Sequence, residues 1–235
     1  MENKLPYKIF FINECAATID FGNIISEEIN KKVIALFNRM CVEPPEGMVE
    51  AIPAYSSLTV YFNVCFLRKK ISSQANVNDW IKAELHRQMQ PDLTSPTEQK
   101  DTVRIPVCYE DKFAIDLPWM SKQKGIPVEE IIRLHFSKQY RVYMLGFLPG
   151  FPYLAEVDEK IAFPRKPQPQ AIPAGSVGIA GKQTGIYPLT SPGGWQIIGR
   201  TPIKIFDKNK TTLCLLEAGD YVEFYPITKN EFENY

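Results

Sequence analysis

GFLPGFPYL (146–154), IPAGSVGIAGKQTG (172–185) and SPGGWQIIGRTP (191–202) carry the deciding pattern: short apolar runs broken every few residues by glycine or proline. Short strands with turn signals this dense predict a closed or sandwich-like β structure. In the first string Gly146 and Gly150 permit turns of positive φ, while Pro149 and Pro152 fix φ and remove backbone donors. A loop stiffened in this way loses little entropy in holding a ligand-ready shape, and it also suits a tight barrel corner.

In the second string Gly175, Gly178 and Gly181 recur three apart and Gly185 follows, a density that lets backbone amides come close to a ligand. The string departs from a nucleotide-binding phosphate loop, because the residue five before Gly181 is Ser176 and Lys182 is followed by Gln183. The third string gathers Gly193, Gly194, Trp195, Gln196, Arg200 and Thr201. An aromatic wall beside an amide and a guanidinium suits a small polar anion, since arginine binds carboxylate or phosphate through two parallel hydrogen bonds. The competing reading makes Trp195 core and Arg200 a solvated strand end.

Outward from these strings, YRVYML, IKIF and VEFYPI extend the β pattern to both sides. Upstream, a strand at Val103 to Cys108 is followed by two short helices, one capped by Asp116 and stopped near Gly125, the other opened by Pro127. Further upstream the periodicities alternate. Ser26 caps a helix whose stripe is Ile29, Val33, Leu36, Phe37 and Met40, and SLTVYF (57–62) reads as a strand. A helix from about Asn78 buries Val77, Trp80, Ile81, Leu85 and Met89. PDLTSPTEQKD (91–101) is polar, twice broken by proline and without apolar period, so it reads as a connection between residues 1–92, a small α+β domain, and residues 93–235, a β domain.

Two histidines are present. His86 adjoins Arg87 beside its helix's apolar stripe and reads as a surface residue. His135 continues the stripe of Val128, Ile131 and Ile132 onto an inward face, just ahead of the strand that feeds the first glycine string. It is either a satisfied core histidine or a proton-transfer group. The five cysteines are odd in number, widely spaced and set in apolar surroundings, so they read as buried thiols without chemistry. No HExxH, paired-histidine or clustered-carboxylate spacing suggests a metal, and no GxSxG elbow a serine hydrolase.

Lysine plus arginine equals aspartate plus glutamate at 27 each, which leaves no excess charge for a row of phosphates and argues against nucleic acid. A hydrophobic fraction of 45% with 23% charged residues is that of a globular protein, and no run is long and apolar enough to span a bilayer. Nor do the opening residues read as a signal peptide, so a cytoplasmic location is expected.

GFLPGFPYL, PAGSVGIAGKQTGIYP and SPGGWQIIGRTP, with His135 upstream and FGNIISEEINKKV and IPAYSSLTVYF in the N-terminal half, resemble one family over nearly the whole chain. That family includes the B component of bacterial 5-oxoprolinase, the KipI-type inhibitors of a sporulation histidine kinase, and the first allophanate-hydrolase-like carboxyltransferase component. The resemblance implies an α+β fold, with a small N-terminal domain followed by a cyclophilin-like β-barrel. It implies ATP as a co-substrate; no biotin-attachment sequence is present, and no metal cluster is expected from the spacing. The implied partners are the A component of 5-oxoprolinase and a homologous C component, of the KipA type, which is also that of the second allophanate hydrolase component. The alternatives are a histidine kinase as partner, or a carboxyltransferase complex. Relatives often carry a second Pro-Arg pair after Pro164-Arg165, where this chain has Pro169-Gln170.

For ring opening of 5-oxoproline, Arg165 and Arg200 are the anion clamps. Ser176, Gln183 and Gln196 are the partners of the substrate amide, Trp195 and Thr201 line the pocket, and His135 is the proton-transfer candidate.

Overall fold

The structure, a computed structural model, describes residues 6–71, 75–90 and 102–235 and divides into two compact units, Met1–Gln99 and Lys100–Tyr235. The 91–101 segment expected to connect two domains lies outside the described residues.

In the first unit β1 (Lys8–Asn13) and β2 (Ala16–Asp20) form a hairpin, followed by α1 (Glu27–Val42), β3 (Met48–Pro53) and β4 (Ser57–Phe62). Two further helices, α2 (Val64–Lys70) and α3 (Val77–Gln88), complete it. The antiparallel sheet has the order β1-β2-β4-β3. The Ser26 hydroxyl accepts from the Ile29 N–H and so starts α1 where the sequence places the cap. Period-2 alternation buries Leu58, Val60 and Phe62 of β4, and they pack with Val33, Leu36 and Met40 of α1 and Ile81 and Leu85 of α3. Each such side chain contributes roughly 1.5–3 kcal/mol on leaving water. The short α2, capped by Asn63, went unread because it follows β4 without a break.

The cysteine expectation needs correction. Cys15, Cys41 and Cys65 are exposed, Cys108 is buried and Cys214 partly so. Cys41 follows Met40 by one position and therefore falls outside the stripe that α1 buries, and Cys15 sits in the turn before β2.

In the second unit the chain runs through β5 (Thr102–Cys108), α4 (Leu117–Lys124), α5 (Val128–Phe136), β6 (Gln139–Leu145) and β7 (Pro152–Glu156). It continues with β8 (Gln170–Ile172), β9 (Ser176–Ala180), β10 (Gln183–Ile186), β11 (Ser191–Gly193), β12 (Gln196–Arg200), β13 (Tyr221–Ile227) and α6 (Lys229–Glu233). Seven of these strands close into a barrel in the ring order β10-β7-β6-β13-β5-β12-β9, while β8 and β11 pair separately as a two-stranded ribbon. The pair β5–β13 is parallel and unites the two ends of the unit. Ile105, Val142, Leu154, Val177, Ile179, Ile198 and Phe224 fill the barrel core, with Leu117 and Met120 of α4 and Ile131 and Leu134 of α5 packed onto it. Gly125 ends α4 in the left-handed region (φ 66°) and Pro127 leads into α5, as read from the sequence. The class is α+β with a closed C-terminal barrel. Among the described residues no helix is long and apolar enough to cross a membrane.

Candidate functional site

The β6–β7 hairpin carries GFLPGF at its tip. The Leu148 N–H donates to the Gly146 carbonyl (2.8 Å) across Phe147, whose φ is 68°, which makes a γ-turn of the strained, positive-φ kind. Phe147 is the one non-glycine residue with positive φ among those described. A turn of the type II pattern follows, with Pro149 second, Gly150 third (φ 77°) and the Phe151 N–H donating to Leu148 (3.0 Å). Two consecutive turns hold Phe147 out in solvent, 63% exposed, with its ring edge to face with Phe151.

Behind the tip lies an aromatic cluster outside the main barrel core. Phe151, Tyr187 and Trp195 are buried, Tyr153 is partly so, and Phe151 meets both Tyr187 (5.2 Å) and Trp195 (5.3 Å) edge to face. The glycines of the second and third strings serve this cluster. A Cβ on Gly193 would lie 2.3 Å from the Tyr187 hydroxyl, one on Gly178 3.1 Å from Trp195 Cβ, and one on Gly185 3.0 Å from the Trp195 ring. Close packing therefore accounts for these glycines, against the Tyr187 ring at Gly193, the Pro152 carbonyl and Trp195 ring at Gly185, and the Gln196 carbonyl at Gly178, where the sequence suggests amide approach to a ligand. Gly175 and Gly181 supply positive φ (82° and 59°).

Across the cluster runs a strap, residues 163–166, pinned at every residue but one. Phe163 and Gly181 exchange backbone hydrogen bonds (2.9 and 2.7 Å), and the Gln196 amide nitrogen donates to the Pro164 carbonyl (2.8 Å). The Lys166 N–H donates to Gly194 (2.7 Å), and the Lys166 ammonium pairs with Asp116 at 2.6 Å with both side chains largely buried. Asp116 was expected to cap α4. Its carboxylate makes no cap bond and instead accepts from the Ile197 N–H (2.6 Å), while its own N–H donates to the Ile197 carbonyl (3.0 Å). It thus extends the edge of β12 and neutralises Lys166. Arg165, the unpinned residue, is exposed and makes no ion pair or hydrogen bond among the described residues. Burial pushes the Tyr153 and Tyr187 hydroxyls up, and the Arg165 charge pulls both partly back.

Gln196 is 2% exposed, and its Oε1 is buried without a hydrogen-bond partner among the described residues. Since Pro164 offers only an acceptor, the amide nitrogen must face it, so the orientation of the group is fixed.

The remaining site residues lie elsewhere. Arg200 ends β12 opposite Ser176, donates from Nε to the Ala174 carbonyl (2.8 Å) and lays its stem beside Gly175. Ser176 and Thr201 are buried there, Thr201 donating its N–H to Gly175 (2.9 Å) and accepting from the Ile203 N–H. At ~3.3 Å per residue, Arg200 and Gln196 stand about 13 Å apart along the strand. Gln183 begins β10 opposite Ala180 and is partly exposed. Gln170 accepts from Lys166 (3.1 Å). His86 is exposed and meets the Tyr7 hydroxyl (2.9 Å).

His135 is fully buried at the end of α5. Its Nδ1 is 2.8 Å from the Tyr109 hydroxyl and its Nε2 2.9 Å from Thr184 Oγ1. Thr184 gives its single proton to the Gly178 carbonyl (3.0 Å), so it accepts from His135, which places the imidazole proton on Nε2 and leaves Nδ1 to accept from Tyr109. The ring also stacks on Phe224 (4.7 Å, 25°), and so ties β10 to β13, three places away in the barrel ring. Burial alone holds its pKa down to about 3 and pushes the Tyr109 hydroxyl well up, so both stay neutral. The group expected to move a proton at the site thus has both nitrogens committed inside the barrel.

The structure brings Arg165, Gly194, Trp195 and Gln196 together, places Arg200, Gly175, Ser176 and Thr201 at the other end of β12, and puts His135 in the core. Lys166, Tyr153 and Tyr187 went unread, and Asp116 was read only as a helix cap. The signal for Lys166 was its place beside Arg165, whereas nothing local links Asp116 to Ile197, 81 residues away.

Fold and site define a class: a mixed α/β protein whose closed barrel carries a rigid, aromatic-backed site with one uncommitted cation, and with no metal-binding cluster among the described residues. The model of the carboxyltransferase domain, subdomain C and D, matches residues 7–216, and the chain belongs to that family. It is 38% identical over 231 residues to the 5-oxoprolinase B subunit of Bacillus subtilis (strain 168), covering 97% of this chain and 96% of that protein. The crystal structure of TTHA0988 superposes with a TM-score of 0.77 at 37% identity over 90% of this chain, which spans 40% of the length of that one. Urea carboxylase of Kluyveromyces lactis shares the fold (TM-score 0.71, 20% identity), covering 97% of this chain and 22% of its own.

Proposed function

We propose that this chain is the B-type component of an ATP-dependent 5-oxoprolinase complex, which opens the lactam ring of 5-oxoproline to glutamate. The observation that carries this reading is the 38% identity with a 5-oxoprolinase B subunit over nearly the full length of both chains. The strap and its aromatic backing supply chemistry of the right kind, a cation and a buried amide acceptor beside a rigid wall. In this reading the chain works in the cytoplasm with an A component and a homologous C component.

A lactam resists water, and ATP would supply a phosphoryl group to the exocyclic carbonyl oxygen, which opens the carbonyl carbon to attack by water before the C–N bond breaks. The Gly181–Lys182 turn does not fit the role of phosphate cradle, because Lys182 pairs with Glu159 (3.0 Å) and strand β10, not a helix, follows. ATP is therefore assigned to a surface shared with, or belonging to, the partners. This chain's own residues hold the substrate. Arg165 neutralises its carboxylate, Gln196 reads the amide, and Trp195 walls the pocket, while Ser176 lies away from the strap, opposite Arg200, and Gln183 stands opposite Ala180. Arg200 and Thr201 brace the far end of β12, and His135 keeps the barrel strands that carry these groups in register.

Co-expression with candidate A and C components, followed by an assay for ADP release that depends on 5-oxoproline, tests the proposal. No release from an assembled complex refutes it. A second reading, docking on a histidine kinase in the manner of the KipI-type relatives, draws on the exposed, strained Phe147. Inhibition of a kinase's autophosphorylation by the chain alone, lost in Phe147→Ala, would favour it.

A further inference from the structure

The two arginines of the candidate site differ in what they already hold. Arg200 spends its Nε on the Ala174 carbonyl and its stem on Gly175. Arg165 holds nothing, yet the backbone on both sides of it is fixed by Gln196 and by Lys166. The carbonyl that Gln196 grips belongs to the peptide bond leading into Arg165. The same amide carries an oxygen that is buried, fixed in direction and without a donor. A buried acceptor left unmade is destabilising, and a ligand that brings an N–H to it recovers that loss. One small molecule can meet both groups only if its anionic oxygen atoms lie close to an N–H.

We propose that Arg165 and Gln196 form a two-point subsite for a small ligand carrying a carboxylate next to an amide N–H, and that Arg200 is a positioning residue that braces β12. The proposal rests on the enzymatic reading above and divides the labour within it. Arg165 pairs with the carboxylate through two parallel N–H donors, and Gln196 Oε1 accepts the lactam N–H. To reach that oxygen the ligand shifts the Pro164–Arg165 peptide away from Gln196, breaking the one hydrogen bond between them, while the Phe163–Gly181 and Lys166–Gly194 bonds hold the strap on either side. About 13 Å of strand separates Arg200 from Gln196, so a ligand of this size seated at the strap does not lie against Arg200.

The test uses the reconstituted complex and three ligands: 5-oxoproline, the neutral lactam 2-pyrrolidone, and N-methyl-5-oxoproline. Arg165→Gln is expected to raise KM for 5-oxoproline about 10- to 100-fold, the worth of a charge-assisted hydrogen bond. It should leave the weak inhibition by 2-pyrrolidone unchanged, and Arg165→Lys should restore part of the loss. N-methyl-5-oxoproline should compete at least about 10-fold more weakly than 5-oxoproline with the wild type. Arg200→Gln is expected to lower the thermal midpoint and kcat while preserving the preference for 5-oxoproline over 2-pyrrolidone. An active wild-type complex in which Arg165→Gln keeps its KM, or loses 5-oxoproline and 2-pyrrolidone equally, overturns the subsite alone. So does undiminished competition by the N-methyl compound. An assembled wild-type complex without 5-oxoproline-dependent ADP release overturns the enzymatic reading and the subsite together.

Discussion

Lowering the pH from 7 to 5 should destabilise the barrel through His135 alone. Folded, its pKa is held down to about 3 by burial. Unfolded, it returns to about 6.5, so between these values the unfolded chain binds one proton more and stability rises with pH. The contribution is fully present above pH 6.5 and is lost as pH falls towards 3. At about 1.4 kcal/mol per unit, roughly 2 kcal/mol disappears between pH 7 and pH 5, before most carboxylates titrate. Tyr109 and Tyr140, the titratable groups bonded to this residue, are driven upward by burial and stay protonated across the window. With a urea dependence of roughly 2 kcal/mol per molar, the midpoint should fall by about 1 M. Urea titrations at the two pH values measure this, and His135→Gln, which can still donate to Thr184 and accept from Tyr109, should lose most of the dependence. Equal pH slopes in wild type and variant, or an imidazole resonance of His135 titrating near pH 6–7, would refute the assignment.

Thr184→Val keeps the shape but strands the His135 Nε2–H and removes the donor to Gly178. It should cost about 2–4 kcal/mol, read as a drop in the denaturation midpoint at pH 7. Gly193→Ala would drive a methyl into the Tyr187 hydroxyl. It is expected to cost about 1–3 kcal/mol and to alter the near-ultraviolet circular dichroism of the Trp195 cluster. Asp116→Ala removes the partner of Lys166 and the acceptor of the Ile197 N–H together. A loss of about 3 kcal/mol with a raised KM for 5-oxoproline is expected, and thermal melts and steady-state kinetics check both.

What the sequence made legible is what neighbouring residues decide. Ser26, Gly125 and Pro127 mark helix ends because capping and φ are local properties, and the stripe of α1 follows from its period. The density of glycine, proline and short apolar runs disclosed a closed β unit. Which strands close it was beyond local reading, since β5 and β13 pair across the whole unit. The same distance hid the strap. Asp116 looks like a helix cap until β12 is brought against it, and Arg165 and Arg200 look equivalent until Ala174 takes one of them. Glycine spacing was ambiguous for a physical reason, because a missing Cβ admits an aromatic ring as readily as a ligand. His135 was placed inward correctly, and its two hydroxyl partners, on β10 and beyond β5, decide what it does there.

The most direct test of the central claim is ADP release by the chain co-purified with its candidate A and C components, measured with and without 5-oxoproline. Release that requires both 5-oxoproline and this chain, and that Arg165→Gln suppresses at low substrate, is the predicted result. Release that is unchanged when this chain is omitted would contradict it.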